Sequence, residues 1–169
     1  MKKFFIFPII IYIFIIFLLP REKLYYLFEE KIGDKELVIV EEKISDIINL
    51  KTLNSVVYYQ GDIKLATIEK IKFNTFLFYN SINIEGIKTL DIFRDLYGFD
   101  INTIRVKYLS IKPTSIDILI MTNIGRVVGS YDIKLKKLIL ELIPKTGYEV
   151  EDNIQKIFKE TDEGYFYEI

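Results

Sequence analysis

The sequence predicts an α+β chain, in which an N-terminal transmembrane helix is followed by a predominantly antiparallel, amphipathic β-sheet with two or three short helices. Three observations predict it. From Phe4 to Leu19 the chain is apolar except for Pro8 and Tyr12. Most segments after Glu36 alternate apolar and polar residues, the period of a half-buried strand. The links between these segments are about two to four residues long, too short for parallel crossovers.

Fourteen of the sixteen residues from Phe4 to Leu19 are Ile, Leu or Phe, and a helix through them has no polar side. At about 1.5 Å per residue it reaches roughly 24 Å, against a hydrocarbon core of roughly 30 Å. Insertion at roughly 0.3 to 0.6 kcal/mol per apolar residue is favourable by about 4 to 8 kcal/mol. Snorkelling by Lys3 and Arg21 meets the shortfall in length. Lys2 and Lys3 would also suit a cleaved signal peptide, but no Ala, Gly, Ser or Thr stands between Met1 and Ile32 to form a cleavage site. The expectation is therefore an uncleaved, single-pass anchor in a bacterial inner membrane, with the N-terminus cytoplasmic and the following domain periplasmic.

The domains expected are residues 1–32, anchor and juxtamembrane helix, and residues 33–169, one exported β-rich domain. The first 32 residues take five of the 23 basic and three of the 24 acidic side chains, leaving 18 against 21. That balance provides no basic footprint for nucleic acid. Cys and His are both absent, which removes disulfides, thiol chemistry and most nucleophile, general-base and transition-metal constellations.

In chain order, Pro20 can start a new helical turn, and Leu24, Tyr25, Leu27, Phe28 and Ile32 make an apolar stripe that either docks on the domain or lies among lipid headgroups. Glu36 to Val40 begins the strands. Glu41 to Asn49 fits a strand or a short helical turn, because Ile44, Ile47 and Ile48 have helical spacing. Leu53, Ser55, Val57 and Tyr59 alternate with Asn54, Val56 and Tyr58, and Gly61 suggests a hairpin to a strand from Ile63 to Phe73. A bulge near Glu69-Lys70 would explain a shift of parity toward Phe76 and Phe78. Asn80-Ser81 reads as a turn before Ile82 and Ile84.

Leu90, Phe93, Leu96 and Tyr97 then follow a helical period, with Thr89 as N-cap and Gly98 just past the end. Strands return with Ile104, Val106 and Tyr108, then with Ile116, Ile118 and Ile120, separated by a turn at Lys112-Pro113. After Asn123-Ile124-Gly125, Val127, Gly129, Tyr131, Ile133 and Leu135 form one expected apolar face, and Leu138, Leu140 and Leu142 another. Val150, Ile154, Ile157 and Phe158 suggest an amphipathic helix, and Gly164-Tyr165-Phe166-Tyr167 a last edge strand.

Residues 49–90, with "VYYQG", "ATIEKIKF", "FLFYN" and "INIEGI", resemble the AsmA-like and type II secretion protein N group, in a short form that would also account for Lys112-Pro113, Gly125 and the terminal "GYFYE". The resemblance implies an inner-membrane anchor carrying a curved, amphipathic periplasmic sheet that acts in envelope assembly, secretion or lipid handling.

Tyr58, Tyr59, Phe73, Phe76, Phe78 and Tyr79 form a dense aromatic group on neighbouring strands. Consecutive strand residues point to opposite faces, so Tyr58 and Tyr59, or Phe78 and Tyr79, cannot both be buried unless both faces are covered. Tyr58, Tyr59, Phe76, Phe78 and Tyr79 are the candidate contacts for lipid or a partner protein. Glu151, Asp152, Glu160, Asp162 and Glu163 match no calcium loop, and the adjacent pairs Glu29-Glu30 and Glu41-Glu42 point apart. No catalytic, cofactor or metal site is expected. The function expected is non-enzymatic: an anchored envelope protein binding a secretion or envelope protein or lipid, or alternatively a structural subunit of a secretion or surface machine; an anchored enzyme ranks third, because it needs a polar cleft that this sequence does not advertise.

Overall fold

The structure is a computed structural model that describes residues 37–40, 43–45, 50–59, 63–76, 78–91, 95 and 98–169. Isoleucine-rich runs of alternating polarity pair into one eleven-stranded sheet. β1 (Leu37–Val40) and β2 (Lys43–Ser45) pair with successive lengths of β3 (Leu50–Tyr59), so together they line one edge. An antiparallel meander follows through β4 (Ile63–Phe76), β5 (Tyr79–Thr89), β6 (Ile101–Leu109), β7 (Ser115–Thr122), β8 (Gly125–Asp132) and β9 (Lys137–Pro144). After helix α1 (Asp152–Gln155) and strand β10 (Lys159–Thr161), β11 (Gly164–Glu168) pairs with both β9 and β10.

The register sorts side chains into two faces. Thr52, Ile71, Ile84, Ile104, Ile120, Val127, Leu142 and Tyr165 stand in one cross-strand row. Phe73, Ile82, Val106, Ile118, Gly129, Leu140 and Tyr167 form the next row on that face. The other face carries Lys51, Lys72, Asn83, Arg105, Leu119, Val128, Glu141 and Phe166 in register.

The tightest core closes over the β7–β11 part of the apolar face. There Ile124, Val127 and Leu142 meet Ile154 and Phe158 from the segment that leaves β9, with Phe99, Tyr148 and Val150 packed around them. Phe158 and Tyr167 meet edge to face at 6.4 Å. Ile154, with 0% exposure, pins α1 to the sheet.

The fold is therefore a β-sheet protein rather than α+β. The helix expected after Pro144 contracts to four residues. Val150, Ile154 and Phe158 satisfy their spacing by covering the sheet, and β10 then draws the chain back into extended form. Asp91 and Asp95 are helical and Gly98 has φ +76°, as a helix end there requires, but Thr89 belongs to β5 and residues 92–94, 96 and 97 lie outside the described residues. Among the described residues no helix is long and apolar enough to cross a membrane, so the described structure does not support the expected transmembrane helix and signal anchor. Phe4–Leu19 and the expected helix over residues 20–32 lie outside the described residues.

Four local expectations also change. Residues 43–45 of the ambiguous Glu41–Asn49 stretch are a strand. Asn80 and Ser81 lie inside β5, because Phe76 pairs with Tyr79 and leaves only residues 77 and 78 for the turn. Ile133 and Leu135 leave the expected β8 face for the turn after Asp132, where Ile133 accompanies a left-handed Lys136 with φ 54°. The "GYFYE" strand is internal, since its half-buried Tyr165 and Tyr167 extend the apolar rows, whereas the exposed Lys159, Glu160 and Thr161 make the edge.

The bulge expected near Glu69 is a crease instead. Leu53 pairs with Lys70 and Ser55 with Ile68, while Lys70 pairs with Glu85 and Ile68 with Ile87, so no residue is inserted there. Asn54 (φ 57°) and Gly86 (φ 68°) nevertheless take left-handed conformations on either side of Glu69. The inserted residue is in β4 beside Tyr58, where the β3–β4 register shifts.

Candidate functional site

The candidate aromatic residues occupy the two ends of β4. Tyr58 and Tyr59 pair with Lys64 and Ile63 at its start, whereas Phe76 pairs with Tyr79 at its finish. Thirteen steps of about 3.3 Å separate Ile63 from Phe76, roughly 43 Å along the strand. The structure thus separates them into two groups. Tyr59 and Ile63 are exposed at one end, and Phe78 and Tyr79 at the other. Tyr58 is half-buried, Phe73 belongs to the apolar face beside Ile82, and the side chain of Phe76 is outside the described set.

Phe78 and Tyr79 belong to a larger rim. Antiparallel strands place the β4–β5, β6–β7 and β8–β9 turns at the same end of the sheet, about 10 Å apart at two strand spacings per step. Phe78 (58% exposed), Ile111 (73%), Ile133 (42%) and Leu135 (70%) stand on these three turns. Main-chain bonds tie them together: the Ser110 amide donates to the Phe78 carbonyl at 2.8 Å, and the Ile133 amide to the Thr114 carbonyl at 2.8 Å. The Leu135 amide donates to Asp132 Oδ1 at 2.8 Å, closing the last turn. Lys112, Lys134 and Lys136 are exposed on the same turns.

Sequence reasoning missed this rim. Ile111 adjoins the expected Lys112-Pro113 turn without being singled out, and Ile133 and Leu135 read as the continuation of a strand. The available signal was an aliphatic residue lodged among lysines and turn formers, in "IKPT" and "DIKLKK".

On the polar face, Lys51 stands opposite Lys72, and Lys70 lies two residues from Lys72 along β4. Lys72 forms an ion pair with Glu85 at 3.3 Å, and Arg105 Nε donates to Asn83 Oδ1 at 2.9 Å. Contact with the Lys72 side chain, then desolvation and the positive charges of Lys72 and Lys51, hold the Lys70 ammonium below its usual range, with Glu85 opposing. At the far side of the sheet, burial raises the Tyr148 and Tyr165 phenols above their usual range, helped by Glu151 and Glu160 respectively. Tyr165 also donates to Glu160 Oε1 at 3.3 Å.

At the end opposite the rim, a depression of about 380 Å³ is lined by Met121, Thr122, Arg126, Ile143, Pro144 and Lys145. The Lys145 ammonium there donates to the Asn123 carbonyl at 2.6 Å. Among the described residues no three acidic side chains gather as metal ligands. No protein-family model, curated protein or solved structure matches the chain.

Proposed function

We propose that this chain is a non-enzymatic protein of the bacterial envelope whose periplasmic β-sheet domain binds a partner protein or lipid during secretion or envelope assembly. One observation supports this reading above others. The apolar rows continue across the sheet, but Ile82, Ile84, Ile104, Val106 and Ile118 remain half-buried, in contrast to Val127 and Leu142 under α1. A partly exposed apolar sheet face of this length is a natural surface for acyl chains or an apolar protein face. The resemblance of residues 49–90 to AsmA-like proteins belongs to the same proposal.

Purification of the full chain in mild detergent, followed by lipid extraction and protein identification, tests it. Bound lipid, or a protein recovered in fixed proportion, is the expected result, and loss of either in an Ile84→Asp, Ile104→Asp variant that still folds would assign it to the apolar face. A chain that recovers neither overturns the proposal. A reporter fused after Ile169 tests the periplasmic location, which a cytoplasmic signal would refute.

A further inference from the structure

We infer that the turn rim carrying Phe78, Ile111, Ile133 and Leu135 docks on the surface of an anionic lipid bilayer. This goes beyond the apolar-face reading and holds whichever ligand that face takes. The rim joins two properties on the same residues. Its aliphatic side chains are among the most exposed in the described structure, at 73% for Ile111 and 70% for Leu135. Its exposed lysines alternate with them, as in Ile133-Lys134-Leu135-Lys136.

Exposure at this level recurs at the opposite end at Ile63 (53%), beside the single exposed Lys64, but not in the β7–β8 turn. At the opposite end Ile124, in the β7–β8 turn, is 3% exposed and belongs to the core. The rim turns are also fixed by the two main-chain hydrogen bonds that tie them together and by the bond from the Leu135 amide to the Asp132 carboxylate, so the side chains stand on a formed platform.

Spacing and charge favour a bilayer over a protein. The apolar groups stand on three turns about 10 Å apart, Ile133 and Leu135 sharing the last, so they form three separate projections instead of one continuous patch. Lipid headgroups can admit separated projections, while a lysine stem buries its methylenes and leaves the ammonium at phosphate level. Lys112, Lys134 and Lys136 bring three positive charges, and the residues of these turns, 110–114 and 133–136, contain no acid. Of the nearby acids, Glu168 pairs with Lys137 at 2.7 Å, and Asp132 turns its charged carboxylate back onto the Leu135 amide at 2.8 Å, so Lys112, Lys134 and Lys136 still outnumber it on these turns. The attraction is therefore toward anionic lipid and weakens with salt.

The chain contains no Trp, so one introduced Trp reports on one place. Full-length Leu135→Trp, Ile111→Trp and, as a control at the other end, Ile63→Trp are mixed with phosphatidylcholine vesicles containing about one third phosphatidylglycerol, with and without brominated acyl chains. Rim Trp emission should shift to the blue and be quenched by the brominated lipid, while Ile63→Trp should change little. Adding Lys112→Gln, Lys134→Gln and Lys136→Gln to Leu135→Trp should reduce quenching about fivefold or more at fixed lipid. Because every variant retains the same N-terminal stretch, any membrane attachment through that stretch is common to all. Rim Trp emission unchanged by vesicles, quenching as strong with phosphatidylcholine alone, or equal quenching of Ile63→Trp each overturns the inference. Circular dichroism matching the parent chain confirms that each variant is folded.

Discussion

The side chain of Glu69 lies across Gly86, so that a Cβ on the glycine would stand 2.5 Å from the Glu69 carboxyl carbon and 2.6 Å from its Cβ. Gly86 has φ +68°, and Asn54 on the other side of Glu69 has φ 57°. The same line continues into β6, whose pairing with β5 ends at Thr103 and whose register with β7 shifts between Ile101 and Thr103. These residues mark a crease across four neighbouring strands. Along it the alternation changes phase, which is why Thr52 and Ser55, three residues apart, are both buried.

Gly86→Ala should destabilise the fold by about 2 to 3 kcal/mol, combining the left-handed conformation with crowding by Glu69. The Glu69 Cβ is part of that contact, so the side chain cannot relieve it by swinging its carboxylate away. Glu69→Gly in the Gly86→Ala background should recover the crowding part and leave the conformational part. Urea unfolding of the two variants checks this, and a double variant no more stable than Gly86→Ala would refute the role of Glu69.

Thr52 Oγ1 and Ser55 Oγ are 3.1 Å apart with both residues at 0% exposure. Thr52→Val should therefore cost about 1 to 3 kcal/mol, because it strands the Ser55 hydroxyl. Adding Ser55→Ala should restore part of that stability. Chemical denaturation of the three variants tests the coupling, and strictly additive losses would contradict it.

Lys70 connects stability to pH. Its folded form holds a proton less tightly than the unfolded chain, so the unfolded chain binds more protons in the window below 10.5 and stability rises with pH through it. Lys70→Gln should raise the melting temperature at neutral pH, with a gain that shrinks as pH approaches 10.5. Thermal unfolding across this range provides the check, and a gain independent of pH would exclude charge repulsion from Lys72 and Lys51 as its source.

Ile154→Ala should remove about 2 to 5 kcal/mol, the range for emptying a buried aliphatic site. Its partners in the cluster are Ile124, Val127, Leu142 and Phe158. Amide exchange should quicken in β8, β9 and β11 more than in β3 and β4, which lie at the other side of the sheet. Uniform acceleration across all strands would show that α1 closes no separate core.

Much of the sheet was legible because strand alternation is local. Ile104, Val106, Ile118 and Ile120 declare their faces within a few residues, and the short links make their strands antiparallel. The crease was only partly legible. Parity around Glu69 signalled a break, but the conformations at Asn54 and Gly86 belong to two other strands and become related only by register. The helix after Pro144 was misread for the converse reason: Val150, Ile154 and Phe158 have helical spacing, yet any backbone that lays them against Val127 and Leu142 satisfies the same burial.

The sequence by itself determined an antiparallel sheet with one apolar and one polar face, since a period of two is written into each strand. The turns at Lys112-Pro113 and Asn123-Ile124 were legible as well, but the strand order at the sheet edges and the residues that share one end of the sheet were decided only in three dimensions. Pairing around β4 moved Tyr59 and Phe78 to opposite ends, and insertion of β11 beside β9 left polar β10 at the edge. Meander register then brought Ile111, Ile133 and Leu135 to one rim, although at least 21 positions separate Ile111 from the others. The physical reason is that hydrogen-bond register fixes distances between residues remote in the chain, while local polarity fixes only the face toward which each one points.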